Sequence, residues 1–289
     1  MDIPLRCAAD QATAETWALV LSSQSIPSQL VRGDAGWEVC VEVREADRAR
    51  QVLAAYDRDL EEDAVRARPA LEYGPTATGL LLAALLCAMF LVSGPYDPAA
   101  AWSRAGSAAA ERILAGEWWR TATALTLHAD LPHLLGNAAS LAIFGTAVCW
   151  SLGPGLGAGL ILLSGMLGNA ASAAVYGPGH LSVGASTAVF GAIGILCGQQ
   201  FVRRRALRSG SRPAWVALAV GLALLALLGT GERSDMAAHA FGLLAGGALG
   251  SLAAVSLARS PGAVVQTLAL LASAVALTVA WLAALGSSP

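Results

Sequence analysis

The chain has 289 residues, of which 56% are hydrophobic and 13% charged, with a formal net charge of −2. An ordinary soluble domain carries about a quarter charged residues, so this composition excludes a simple water-soluble globule and points to lipid. The charge is unevenly placed: residues 1–72 hold 14 of the 20 acids and 8 of the 18 basic residues, which implies a small acidic soluble part followed by a membrane part. Every basic residue is arginine, which reads as coding bias and carries no functional signal. The five cysteines (Cys7, Cys40, Cys87, Cys149, Cys197) show no C-x-x-C spacing and read as small apolar filler, with no disulfide expected. The first ten residues are polar, and no signal peptide is expected.

Residues 1–62 read as a small α/β domain. Strand candidates at 3–8, 28–31 and 37–43 and helix candidates at 12–24 and 46–60 give the order β-α-β-β-α, part of a ferredoxin-like module. Residues 63–75, charged and then Pro- and Gly-bearing, read as a linker. Residues 76–289 follow as a membrane domain with seven apolar segments near 76–92, 133–150, 155–176, 181–202, 213–229, 235–256 and 264–285. A bilayer-spanning helix needs about 20 such residues. Arg203, Arg204, Arg205, Arg208 and Arg212 after the fourth segment, and Arg259 after the sixth, place those loops in the cytoplasm, and alternation puts the N-terminal domain there too. The expected location is the bacterial inner membrane.

Two distant stretches carry the chemistry. Ser186 follows Gly184 near the start of the fourth segment, and His239 lies about a turn into the sixth. A polar residue at membrane depth is costly and calls for a reason. A serine with a histidine base is the minimal kit for nucleophilic acyl transfer, and a helix N-terminus favours the anion that develops. Gly242 and Gly246 share a helix face with His239, so that face can pack closely on a neighbour. If the neighbour is the fourth segment, with Gly191, Gly194 and Gly198, the imidazole can reach the serine. Small residues and hydroxyls also serve plain helix packing, and an intramembrane histidine can bond across helices for stability alone. A third cluster holds His128, His133 and Asn137; the last two, four apart, lie on one helix face. Both can donate hydrogen bonds to an oxyanion, and metal binding is the competing reading, without an acidic or cysteine ligand at zinc-like spacing. His180 is expected to be exposed and without a role. No cofactor or metal is expected.

These motifs, in this order, resemble the rhomboid intramembrane serine proteases. The resemblance runs from about residue 76 to 256 and includes Trp118-Trp119-Arg120, His128…His133…Asn137, Gly184-x-Ser186 with Phe190-Gly191, and Ala238-His239-x-x-Gly242-x-x-x-Gly246. It implies an all-α polytopic fold with a six-helix core plus a seventh helix. Ser186 would be the nucleophile and His239 the base, without a third acidic member. His133 and Asn137 would line an oxyanion hole, and His128, Trp119 and Arg120 would be structural. Substrates would be transmembrane proteins reached in the lipid bilayer; no nucleic-acid partner is expected. The chain departs from the family in Thr187, where glycine usually follows the serine, and in Leu127, where an aromatic residue often precedes the histidine. Thr187 is expected to narrow the cavity or touch substrate. An inactive scaffold binding membrane helices is the first alternative, and a transporter a second.

Overall fold

The computed structural model describes residues 2–33, 35–66, 71–206, 216, 219–223 and 235–287. They fall into two compact units, one within Met1–Ala67 and the other within Arg68–Arg205 and Arg212–Pro289.

In the first unit the elements are β1 (Asp2–Ala8), α1 (Gln11–Ser23), β2 (Ser28–Gly33), β3 (Gly36–Glu42) and α2 (Ala46–Arg66). The sheet order is β1-β3-β2, with β3 antiparallel to both neighbours, so β1 and β2 run parallel with β3 inserted between them. This is the split β-α-β arrangement. Alternation in β3 buries Val39 and Val41 against Ala14, Leu21, Ala49 and Leu53 of the two helices. Asp10 caps α1, its carboxylate accepting from Thr13 N at 2.9 Å.

The second unit is helical: α3 (Thr78–Ser93), α4 (Ala101–Gly106), α5 (Ala110–Leu114), α6 (Arg120–Thr123), α7 (Leu131–Ser140), α8 (Thr146–Leu152), α9 (Pro154–Tyr176), α10 (Ser186–Ala206), α11 (Met236–Ser256) and α12 (Ala263–Gly286). A π turn at Leu141–Gly145 joins α7 and α8 into one span. Among the described residues, four helices are long and apolar enough to cross a membrane: Leu131–Leu152, Pro154–Tyr176, Met236–Ser256 and Ala263–Gly286. The chain is a multi-pass membrane protein. α3 is a shorter apolar helix. α10 ends in Gln199, Gln200 and Arg203–Arg205, which lower its apolarity. The expected fifth segment, 213–229, lies largely outside the described residues, of which Val216 and residues 219–223 are helical.

The fourth segment begins later than its hydropathy suggests. Leu181–Ser182 is a short strand, β5, paired with Ala108–Ala109, β4. Gly184 has φ +127°, a conformation that breaks a helix, and α10 starts only at Ser186.

α9 sits centrally, with α11, α12, α8 and α3 against it. α10 and α11 approach so closely that a Cβ on Gly242, Gly246 or Gly250 would overlap the carbonyl of Thr187, Gly191 or Ile195 respectively. Glycine spacing along α11 therefore sets the register of these two helices. α12 is tied in at its first turns by buried Gln266, whose Oε1 accepts from Gly155 N and Leu156 N at 2.9 Å each, while its Nε2 donates to Leu152 O at 2.7 Å. Near its other end Trp281 Nε1 donates to Thr126 Oγ1 at 3.2 Å.

Candidate active site

Ser186 opens α10 and His239 lies in the first turn of α11. The glycine contacts above bring the helix starts together, and Ser186 Oγ lies 2.7 Å from His239 Nε2. Ser186 is half-buried and His239 is 5% exposed. The Phe190 ring, one turn beyond Ser186, lies on the imidazole with centroids 4.7 Å apart and planes 32° from parallel. Phe190 thus fixes the ring plane of His239. A hydroxyl held at this distance by an imidazole nitrogen can lose its proton to it as it attacks an electrophile.

The backbone just ahead of Ser186, at Gly184, is bordered by α7. Asp130 caps that helix, accepting from His133 N at 2.8 Å, and so sets the first turn that carries His133. A Cβ on Gly184 would stand 2.6 Å from His133 Cε1 and 3.4 Å from Asn137 Nδ2, so only a glycine lets this backbone pass the two side chains. Asn137 is buried, and its Nδ2 has no hydrogen-bond partner among the described residues. An unsatisfied buried donor beside the Gly184 backbone, just ahead of the α10 N-terminus, suits an incoming oxyanion. Among the described residues, no three His, Cys, Asp or Glu side chains are placed to hold a metal ion.

His128 is 1% exposed and stands edge-on to His133, ring centroids 5.3 Å apart. Its Nε2 accepts from Ala185 N at 3.5 Å, so it braces the backbone just before Ser186. Burial, and then the neighbouring His133, push its pKa down to about 4, against the opposing pull of the Thr126 carbonyl. His128 is therefore neutral at pH 7.

The Trp-Arg pair sits in the loop ahead of α7. Arg120 is 3% exposed; its Nε donates to Glu117 at 2.6 Å, and its Nη1 to the carbonyls of Arg104 and Ser107 at 2.9 and 3.0 Å. Trp119 packs against the buried cluster that holds Leu127 and Trp281. Leu127 is thereby a packing residue of this loop. Thr187 departs from its expected place: it is 2% exposed, and its methyl faces Gly168 of α9 and Gly242 of α11. It fills a helix-packing seam.

His180 also differs from expectation. It is paired at 2.7 Å with Asp235, the N-cap of α11, and only 23% of its side chain is exposed. Its partner is 55 positions away, beyond the reach of local sequence reading. Asp235, four residues ahead of His239, did carry a capping signal.

Residues 115–256 match the Rhomboid domain family. Two rhomboid proteases of Bacillus subtilis (strain 168) are similar to the chain. YdcA is 29% identical over 131 residues, which cover 45% of this chain and 65% of YdcA. GluP is 33% identical over 124 residues, covering 42% of this chain and 24% of GluP. The matched stretches thus span less than two thirds of either relative. The same residues 115–256 hold Ser186, His239, His133 and Asn137, and the chain carries a rhomboid domain distantly homologous to these Bacillus proteases.

Proposed function

We propose that the chain is an intramembrane serine protease that cuts peptide bonds in or beside transmembrane segments of membrane proteins. The observation that carries this reading is the 2.7 Å contact between Ser186 Oγ and His239 Nε2 at the adjoining starts of two helices. Ser186 Oγ attacks the scissile carbonyl carbon while Nε2 takes its proton. His133, Asn137 and the Ser186 backbone N–H receive the oxyanion. The imidazolium returns the proton to the leaving amine as the C–N bond breaks. Water, deprotonated by His239, then opens the ester and frees Ser186. His128, Gly184, Trp119 and Arg120 hold the loop and backbone that shape this site, and Gly191, Gly242 and Gly246 hold the helices together. A helical substrate must unwind before cleavage, so helix-weakening residues are expected at its cut site.

The proposed architecture is six core helices plus α12, with the N-terminal unit in the cytoplasm of a bacterium and the site opening toward the opposite face of the inner membrane. The arginine placement supports this orientation.

The test uses purified full chain in detergent or liposomes with a fluorophosphonate probe. Wild type should label, whereas Ser186→Ala and His239→Ala should not, and a transmembrane reporter should be cleaved only by wild type. Folded wild-type protein that neither labels nor cleaves would favour the non-catalytic helix-binding scaffold.

A further inference from the structure

The carboxylate of Asp235 does two separate things. Oδ1 caps α11, accepting from Ala238 N at 2.9 Å, while the Asp235 carbonyl accepts from His239 N at 3.0 Å. Oδ2 faces outward from the helix, 2.7 Å from His180 Nε2 and 3.1 Å from Ser172 Oγ. Capping needs only the first oxygen; the second joins α11 to two other elements.

Those elements are themselves anchored. Ser172 lies near the end of α9 and is 2% exposed. Tyr176, in the last turn of α9, stacks on the His180 ring with centroids 4.3 Å apart and planes 26° from parallel. The His180 carbonyl accepts from Ala110 N at 2.9 Å, and Gly179 N donates to Glu111 at 3.3 Å, so the backbone around His180 is tied to α5. The Asp235 side chain is only 10% exposed. One carboxylate thus gathers α9, the turn before β5, and the start of α11, a single turn from His239.

The need for such an anchor follows from the glycine seam. Its backbone contacts set the register of α10 and α11 from Gly242 onward, whereas the first turn of α11, which carries His239, lies ahead of them and is held through Asp235. A displacement of about 1 Å at reacting groups can cost roughly a hundredfold in rate.

We infer that Asp235, held by His180 and Ser172, is a positioning residue that sets the approach of His239 to Ser186. This rests on the reading of those two as base and nucleophile.

The experiment measures fluorophosphonate labelling of the full chain across probe concentrations, separating the maximal labelling rate from the half-saturating concentration. His180→Ala leaves the cap of α11 intact, yet it should lower the maximal rate about tenfold or more with little change in half-saturation. Asp235→Ala should lower it at least as far. The double variant should be no slower than Asp235→Ala, because both act through one contact. His180→Gln, which keeps a donor at similar reach, should recover at least about a third of the wild-type rate, a rescue that general destabilisation would not give. Wild type that labels alongside a folded His180→Ala of equal rate overturns the inference. So does His180→Gln as slow as His180→Ala. A folded wild type that fails to label instead overturns the protease reading itself.

Discussion

His128 is a buried side chain that braces the backbone just before Ser186. Its imidazole is neutral, with a folded-state pKa of about 4 against an ordinary value of 6.5. The unfolded chain therefore binds a proton more readily than the folded one. The resulting stability is fully present above about pH 6.5 and is lost as pH falls from there toward about 4, a change on the order of 3 kcal/mol. Thermal unfolding followed at several pH values should show this slope in wild type and a shallower one in His128→Gln; equal slopes would count against the assignment. Arg120 makes a parallel case with charge. Burial pushes Glu117 up, but its bonds and proximity to Arg120 and Arg112 outweigh this and hold its carboxyl below the usual range. Arg120→Ala should cost about 2–3 kcal/mol, because it leaves the carbonyls of Arg104 and Ser107 without this donor and Glu117 with Arg112 alone, and it should be read as a lower unfolding midpoint.

At the scale of elements, the seam between α10 and α11 decides where the serine and histidine stand. The sequence was legible here because Gly242 and Gly246 repeat at helical spacing from His239. Gly246→Ala should destabilise by about 1–3 kcal/mol, since the clashing Gly191 carbonyl is main chain and cannot swing aside, and the labelling rate should fall with it. Gly136→Ala is the matched control: its Cβ would meet nothing, and stability should hold or rise by up to about 1 kcal/mol. A Gly246→Ala protein as stable as wild type would mean that the helices are not held by this contact. The strands and helices of the first unit were equally readable, because period-two alternation in β3 and helical spacing in α1 each bury a single face. What could not be read were features made by distant partners. The late start of α10 depends on β5 pairing with β4 some seventy residues earlier, and hydropathy alone ran the segment back to Leu181. The seat of Thr187 depends on Gly168 and Gly242, two glycines from two other helices.

Across the membrane unit, α12 behaves as a structural member. Gln266 closes the turn between α8 and α9, and Trp281 reaches the loop that carries Arg120 and His128. Gln266→Ala leaves two N–H groups and a carbonyl without partners in a buried turn and should cost about 3 kcal/mol, visible as earlier loss of the folded state in detergent. The charge asymmetry of the chain and its seven apolar runs made the membrane character plain, whereas this cross-bracing, between residues more than a hundred positions apart, has no local signature.

α3 has only 16 residues, which rise about 24 Å, whereas the hydrocarbon core of a bilayer is about 30 Å thick. Leu80, Leu81, Leu85, Leu91 and Val92 on it are exposed, an apolar face that in the proposed architecture acyl chains would cover. If α3 spans the bilayer as the proposed architecture requires, the membrane on that flank would have to pinch inward or the helix ends draw head groups down with them. A transmembrane segment of ordinary length drifting past α3 would find its own ends pushed out of the hydrocarbon and into water.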